Sequence, residues 1–321
     1  MKNRFLILLI CLTAGLAMTL SACGTRPQPS YRKAEGENKL RVVTTLFPAY
    51  DFVRELGKDR CEITLLVPPG AEAHSFEPTA QDLIRIENCD VLVCNGGESE
   101  VWLETLLSGT TGDFALVRML DCVEALEEEE KEGMQDTHEE EDEDGPEFDE
   151  HVWTSPRNAR IICEAICQAL CERDSEGEAL YRENLERYDG ELKALDAAFR
   201  QIVAQAHNRC LIFADRFPVR YFVEEYGLDY FAAFPGCADD TEPSARTVAF
   251  LIDRVREEGL DAVLYIEYSN QKMADVICED TGCEKLLFHS CHTVSADDLA
   301  RGATYLSLMW DNTKSVKEAL G

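Results

Sequence analysis

A chain of 321 residues, 45% of them hydrophobic, is long enough for one large domain or two lobes and too apolar to be wholly disordered. Its formal net charge of −31 repels nucleic acids and anionic lipid surfaces and attracts cations. The composition therefore excludes a nucleic-acid partner and favours a cationic ligand.

The first residues have the pattern of a secretory signal. Lys2 and Arg4 precede an apolar run over residues 5–20, which is short for a spanning helix. Residues 20–23 read LSAC and resemble the lipobox of bacterial lipoproteins, in which the cysteine carries the lipid. We predict a signal over 1–22, lipidation at Cys23, a flexible tether over 23–38 and an extracytoplasmic, membrane-anchored protein. A plain cleaved signal is the alternative.

Cysteine is abundant, with 14 in the chain. Apart from Cys11 in the signal and Cys23, these residues could form disulfides in an exported protein. No CxxC pair occurs, which argues against a cysteine-rich zinc module. The pairing is left open.

The first half alternates apolar runs with helical patterns, which predicts a parallel sheet with helices on both faces. Strands are predicted at residues 40–46, 61–67, 90–94 and 115–120. Helices are predicted at residues 50–56, 79–88 and 99–107, and another begins at Ser155-Pro156. We assign residues 39–175 to an N-terminal α/β lobe.

A long helical pattern follows at residues 178–206, where apolar side chains recur at alternating steps of four and three. At 1.5 Å per residue this helix spans roughly 40 Å. A coiled-coil dimer is one interpretation. We prefer a linking helix over 176–207 that packs along its own chain, in a monomer.

The second half repeats the logic of the first, and we assign residues 208–321 to a C-terminal α/β lobe. Strands are predicted at residues 210–214, 228–233, 261–265 and 285–291. Helices are predicted at residues 219–226, 244–258, 271–279 and 295–320. The predicted fold is α/β, with two (β/α)₄ lobes joined by one long helix. Ligands of such sheets bind beyond the carboxyl ends of the strands, so a site is expected in the interlobe cleft.

Residues 124–150 form an acidic loop with 16 acidic side chains and one lysine. Self-repulsion predicts disorder here. The loop is either a solvated segment that aids solubility or a collector of divalent cations that includes His138.

Two of the six histidines stand at positions where this architecture faces its cleft. His74 follows the end of a predicted strand, and His151 comes just before the helix that begins at Ser155-Pro156. Imidazole nitrogen and carboxylate oxygen are the ligands that Zn²⁺ takes, usually four in a tetrahedron. We therefore expect a metal site between the lobes.

Two segments resemble the zinc and manganese solute-binding lipoproteins of ABC importers. Residues 67–79 read VPPGAEAHSFEPT and are similar to the family's PG…H-x-(F/Y)-E-P-(T/S) segment; residues 149–156 read DEHVWTSP and are similar to its D-x-H-(V/I)-W-x-(S/D)-P segment. The resemblance implies that His74 and His151 bind metal, that two lobes are bridged by a rigid helix, and that the partner is a membrane permease. The acidic loop is typical of the zinc-importing branch.

The second half departs from the family pattern. The family's third ligand, often His in an H-D-A-F-x-Y context, has Ala214 at its place, with Asp215 beside it. The family's fourth ligand is usually acidic and stands about ten residues before a Gly-x-x-Tyr segment. In this sequence His292 occupies that place. We expect a site of His74, His151, His292 and one carboxylate, with Asp215 preferred and Glu267 second. A water molecule in place of the carboxylate is the alternative.

Zn²⁺ is preferred over Mn²⁺ because Mn²⁺ favours more oxygen ligands, although copper would also bind these nitrogens. The expected function is therefore capture of Zn²⁺ for an ABC importer, without enzymatic activity. One alternative is a zinc-dependent hydrolase, but no HExxH motif occurs. Another is an adhesin-type lipoprotein with incidental metal. A binder of ferric chelates would need basic or aromatic cleft residues.

Overall fold

The computed structural model describes residues 39–71, 73, 75–135, 147–236 and 243–321. The predicted signal and tether, Cys23, His74 and His138 lie outside these residues. Within the described part of the chain, no helix is both long enough and apolar enough to cross a bilayer.

The first half forms the predicted parallel sheet, in the order β2-β1-β3-β4. Its strands are β1 (Leu40–Thr44), β2 (Cys61–Leu65), β3 (Val91–Cys94) and β4 (Ala115–Arg118). The helices between them are α1 (Phe47–Gly57), α2 (Ala80–Glu87) and α3 (Val101–Leu107). Thr79 begins α2 through a reciprocal capping box with Asp82, which satisfies backbone N–H groups that the helix leaves unpaired.

Two helices lead to the second half. Helix α4 (Pro156–Arg173) begins at Ser155, whose side chain accepts the N–H of Asn158. Helix α5 (Glu178–Gln205) has 28 residues and packs against α1 and α4. Its buried residues largely follow the predicted steps of four and three, and they are Tyr181, Tyr188, Leu192, Leu195, Phe199 and Val203. Leu185 and Ile202, which also fit those steps, are only half-buried.

The second half forms a second parallel sheet, in the order β6-β5-β7-β8. Its strands are β5 (Cys210–Arg216), β6 (Asp229–Phe234), β7 (Ala262–Ile266) and β8 (Glu284–Phe288). Its helices are α6 (Arg220–Tyr226), α7 (Ala245–Glu258), α8 (Lys272–Thr281), α9 (Ala296–Ala300) and α10 (Tyr305–Ala319). Helix α5 also packs against α10 and therefore bridges the halves. The two-sheet α/β fold is thus confirmed. Residues 39–321 form one compact unit, and the lobe boundaries stay predictions.

The single helix predicted over residues 295–320 is wrong, because the chain breaks it into α9 and α10. Gly302 adopts φ +86°, a left-handed conformation that glycine reaches without a side-chain clash. Thr304 then begins α10, with its side chain accepting the N–H of Ser307. The helical pattern of the sequence continues across this break, which is why the pattern alone does not show it.

The prediction of disorder for the acidic loop is wrong for its described residues, 124–135 and 147–150. Glu127 and Phe148 form an antiparallel bridge. The N–H of Gln135 donates to the carbonyl of Ala233 at the end of β6, at 2.8 Å. Backbone pairing and contacts with the second sheet therefore outweigh charge repulsion over these residues.

A buried carboxylate ties α1 to α10. Asp51 accepts the N–H of Tyr305 at 2.7 Å and pairs with the Arg54 guanidinium, which also donates to the Ala303 carbonyl at 3.0 Å. Burial raises the pKa of Asp51 to about 6, although Arg54 and the Tyr305 N–H oppose that rise.

We predict that Asp51 makes the stability of the protein dependent on pH. Its folded-state pKa lies above the ordinary value of 3.8, so its contribution to stability is complete below that value. The contribution is lost as pH rises through about 6. A shift of about two units corresponds to about 3 kcal/mol. Denaturant unfolding between pH 4 and 7 should show a fall in the free energy of unfolding that Asp51→Asn makes smaller by about this amount.

Substitution of the exposed Asp59 by Asn is the control and should leave the pH dependence as it is. Equal slopes for the wild-type protein and Asp51→Asn would contradict the prediction.

Candidate metal centre

A cavity of about 190 Å³ lies at the carboxyl ends of the second sheet's strands, where the sequence predicted the site. Arg216, the last residue of β5, lines it together with Glu267 and His292 from the segments that follow β7 and β8. The first half supplies His151 and the segment around Gly70. The cavity therefore lies between the two halves of the fold.

Two of the predicted ligands meet at this cavity. The ring centroids of His151 and His292 are 5.4 Å apart, and the ring planes are inclined by 84°. These residues are 141 positions apart in the sequence, so only the fold brings them together. Their donors are imidazole nitrogens, which suit a borderline-soft divalent cation.

Asp149 orients the buried His151 ring. Its Oδ1 lies 3.3 Å from Nδ1 of His151 and accepts the N–H of the same residue at 2.8 Å. A carboxylate on Nδ1 fixes the tautomer and leaves Nε2 as the nitrogen that can ligate. Burial lowers the pKa of His151, but Asp149, Glu150 and Glu128 outweigh it, and the pKa is raised above 6.5.

Trp153 forms the buried wall beneath both imidazoles. Its ring centroid lies 5.5 Å from that of His151 and 5.4 Å from that of His292. Its Nε1 donates to the carbonyl of Ser290 at 2.8 Å, and its own carbonyl accepts the hydroxyl of Tyr305 at 2.7 Å. Trp153 lies within the family-like segment of residues 149–156, but nothing in the sequence indicated this role.

Neither predicted carboxylate has both oxygens free toward the cavity. Asp215 is absent from the described residues that line it; its oxygens accept the N–H groups of Arg216 at 2.9 Å and Ile266 at 3.4 Å. Burial raises the pKa of Asp215. Glu267 does line the cavity, but its oxygens accept the N–H of Ser290 at 2.7 Å and its hydroxyl at 2.5 Å.

The end of β5 presents Arg216 to the cavity, which the sequence analysis did not foresee. Ala214, the residue placed at the family's histidine position, is buried in the core of the second half. Guanidinium has no lone pair for a metal, so Arg216 cannot act as a ligand. Strand β5 therefore contributes a charged group to the cavity but no imidazole.

His74 and His138 cannot be placed, since they lie outside the described residues. The neighbouring residues Gly70, Ala71 and Ala73 line the cavity, and the N–H of Gly70 donates to the Thr293 hydroxyl at 3.0 Å. Within the described residues, no three His, Cys, Asp or Glu side chains form a group that could hold a metal ion.

The comparisons with known proteins identify the family. Residues 42–319 match the family described as "ZnuA: Zinc-uptake complex component A periplasmic". The chain belongs to this family.

Two relatives and one solved structure illustrate the similarity. The "High-affinity zinc uptake system protein ZnuA" of Bacillus subtilis is 27% identical over 311 residues, which cover 96% of this chain and 95% of the relative. The "Zinc-binding lipoprotein AdcA" of Streptococcus pneumoniae is 28% identical over 94% of this chain, which spans only 58% of AdcA. The structure of the Zn(II)-bound ZnuA-like domain of AdcA aligns with a TM-score of 0.73 and 25% identity, over 88% of this chain and 99% of that domain.

We predict that Gly236→Ala disturbs this centre. A Cβ at position 236 would lie 2.9 Å from the Phe217 carbonyl, 3.2 Å from Oδ2 of Asp149 and 3.4 Å from Cε1 of His151. The backbone contact is too close, so the chain must shift and carry the His151 ring with it. Thermal unfolding and metal titration should show a lower Tm and a weaker affinity.

Gly190→Ala in α5 is the matched control, because a Cβ there meets nothing within 4 Å. It should stabilise the helix by about 0.5–1 kcal/mol and leave metal affinity unchanged. Equal metal affinities for the two alanine variants would refute the close-packing argument.

Proposed function

We propose that this protein is the extracytoplasmic binding component of a zinc importer of the ABC type. It captures Zn²⁺ in the interlobe cavity and delivers the ion to a membrane permease. The observation that carries the proposal is the meeting of His151 and His292 at one cavity, 5.4 Å apart between ring centroids. Membership of the zinc-uptake family and the zinc named for the relatives support the choice of ion.

The proposed ligands are His74, His151 and His292, with water in the fourth position of a tetrahedron. The backbone around Gly70 and Ala73 lines the cavity, which supports the contribution of His74. Water is preferred to Asp215 because Asp215 is not among the described residues that line the cavity. It is preferred to Glu267 because Ser290 holds both oxygens of that carboxylate in place. A set this poor in oxygen favours Zn²⁺ over Mn²⁺.

The proposal includes no catalysis, since a carrier has to bind its ion and release it unchanged. Lipid on Cys23 would keep a monomeric carrier at the membrane, beside the permease. Helix α5 packs against α1, α4 and α10, so we expect only small movements between the halves during release.

We predict that the mature protein binds one Zn²⁺ more tightly than Mn²⁺, and that His292→Ala weakens zinc binding more than about 100-fold. Loss of a group that only orients a ligand typically costs 10–100-fold, and loss of the ligand itself should cost more. Titration in competition with a chelating dye measures both affinities.

His207→Ala is the control, because His207 lies beside Gly321, at the end of β5 remote from the cavity. Tighter binding of Mn²⁺ than Zn²⁺, or an unaffected His292→Ala variant, would overturn the proposal.

We also predict that Asp215→Ala keeps zinc affinity within about threefold, less than about 1 kcal/mol. It should nevertheless lower the free energy of unfolding by about 1–3 kcal/mol, because two backbone N–H groups lose their acceptor. The same dye titration, together with denaturant unfolding, separates the two effects. An affinity loss as large as that of His292→Ala would make Asp215 a ligand.

A further inference from the structure

We infer that Glu267 is a positioning residue for the metal centre: it holds the turn that carries His292 and does not itself bind the ion. The inference rests on the proposed function. It also explains why a carboxylate borders the cavity although the proposed ligands are imidazoles and water.

Both oxygens of Glu267 accept hydrogen bonds from Ser290, and Oε1 also lies 3.6 Å from Nδ1 of His289. Oε2 accepts the N–H of Ser290 at 2.7 Å, and Oε1 accepts the Ser290 hydroxyl at 2.5 Å. The side chain of Glu267 is only 8% exposed. Two short bonds to a charged acceptor fix the serine more firmly than neutral partners would.

Ser290 passes this constraint to His292. Its hydroxyl has one proton, which goes to Glu267, and its oxygen accepts the N–H of His292 at 3.2 Å. The Ser290 carbonyl accepts Nε1 of Trp153 at 2.8 Å. Ser290, two positions before the proposed ligand His292, is therefore held at its N–H, its hydroxyl and its carbonyl.

The turn between Ser290 and His292 needs such support. Cys291 adopts φ +62°, a left-handed conformation that is disfavoured for a residue with a side chain. Its N–H donates to Nδ1 of His289 at 3.0 Å, and Asn312 bonds both the N–H and the carbonyl of His289 at 2.8 Å. Asn312 thus holds one side of the turn, and Glu267 holds the other.

A role for Glu267 as a ligand would work against this arrangement. Each carboxylate oxygen has a second lone pair, so a metal would have to share an oxygen with a hydrogen bond from Ser290, a residue only 2% exposed. Any rotation of the carboxylate toward the ion would lengthen that bond, weaken the pairing of a buried donor and loosen the turn that presents His292. The geometry therefore favours an indirect role.

The test combines Glu267→Gln, Ser290→Ala and the double variant in the full mature protein. Zinc affinity is measured by dye competition, and the ligand set by the visible absorption of bound Co²⁺. Each single variant should lose about 10–100-fold in affinity. The double variant should lose no more zinc affinity than the weaker-binding single variant, because both substitutions break the same hydrogen-bonded connection between Glu267 and Ser290. The Co²⁺ spectrum of Glu267→Gln should keep the wild-type band positions and intensities, whereas His292→Ala should change them.

Glu100→Gln is the matched control, since Glu100 is also buried and accepts a backbone N–H, that of Gly96 at 2.8 Å, but does not line the cavity. It should bind Zn²⁺ as the wild type does. Ser290→Ala keeps the Glu267 carboxylate and serves as the test if Glu267→Gln does not fold.

Three results would overturn the inference. A Co²⁺ spectrum of Glu267→Gln altered like that of His292→Ala would make Glu267 a ligand. Wild-type zinc affinity in Glu267→Gln or Ser290→Ala would show that the residue has no role in positioning His292. If the fold-losses of the two single variants multiplied in the double variant, Glu267 and Ser290 would act independently and not through one connection. Failure of the wild-type protein to bind Zn²⁺ is a different result, which would reject the proposed function and this inference with it.

Discussion

The burial of Trp153 between the two halves is the contact on which the centre depends. The indole belongs to the segment that carries His151, yet its Nε1 donates to Ser290 and its carbonyl accepts from Tyr305, both in the second half. Both imidazole rings lie against it. A change in the relative position of the halves would break these hydrogen bonds in a place from which water is excluded, at a cost of 1–3 kcal/mol for each group left unpaired. The distance between the two imidazoles is thus fixed by the same contacts that join the halves.

Carboxylates hold the segments that carry the two imidazoles. Asp149 holds Nδ1 of His151, and Glu267 holds the turn before His292. The first half repeats the second in one respect: Glu150, next to His151, accepts both the N–H and the hydroxyl of Ser99. In each half a buried carboxylate therefore fixes a serine near the centre. This arrangement fixes the segments that carry both imidazoles and keeps negative charge close to them, so at the proposed site positioning and electrostatic attraction of a cation come from the same groups.

The sequence predicted the strands and their parallel direction well because hydrophobic runs and the alternation with helices are local signals, but it did not predict the order of the strands in either sheet. It predicted the approach of His151 to His292 only through the rule that ligands bind at the carboxyl ends of strands, with family motifs to choose the residues. It was harder to predict which residue at the end of β5 faces the cavity. Counting back three residues from Phe217 leads to Ala214, whereas counting back five from Tyr221 in the H-D-A-F-x-Y pattern leads to Arg216, which lines the cavity. Pairing of β5 with β6 shifts register between Phe213 and Arg216, and such a shift has no local sequence signature. The bonds of Ser290 to Glu267 and to Trp153 join residues 23 and 137 positions apart, which periodicity cannot reveal.

The acidic segment shows how a tertiary contact can override a compositional expectation. Charge repulsion between exposed groups is screened within about 8 Å at physiological salt, so a few fixed contacts can outweigh it. Tyr221 supplies two of them, since its hydroxyl accepts the N–H of Leu126 and donates to the carbonyl of Asp149. Both described ends of the segment are thereby held close to His151, and Glu128 is among the groups that raise the pKa of that imidazole. Because screening limits such effects to short distances, acids that the fold holds near His151 influence its imidazole, whereas equally numerous acids farther away would not.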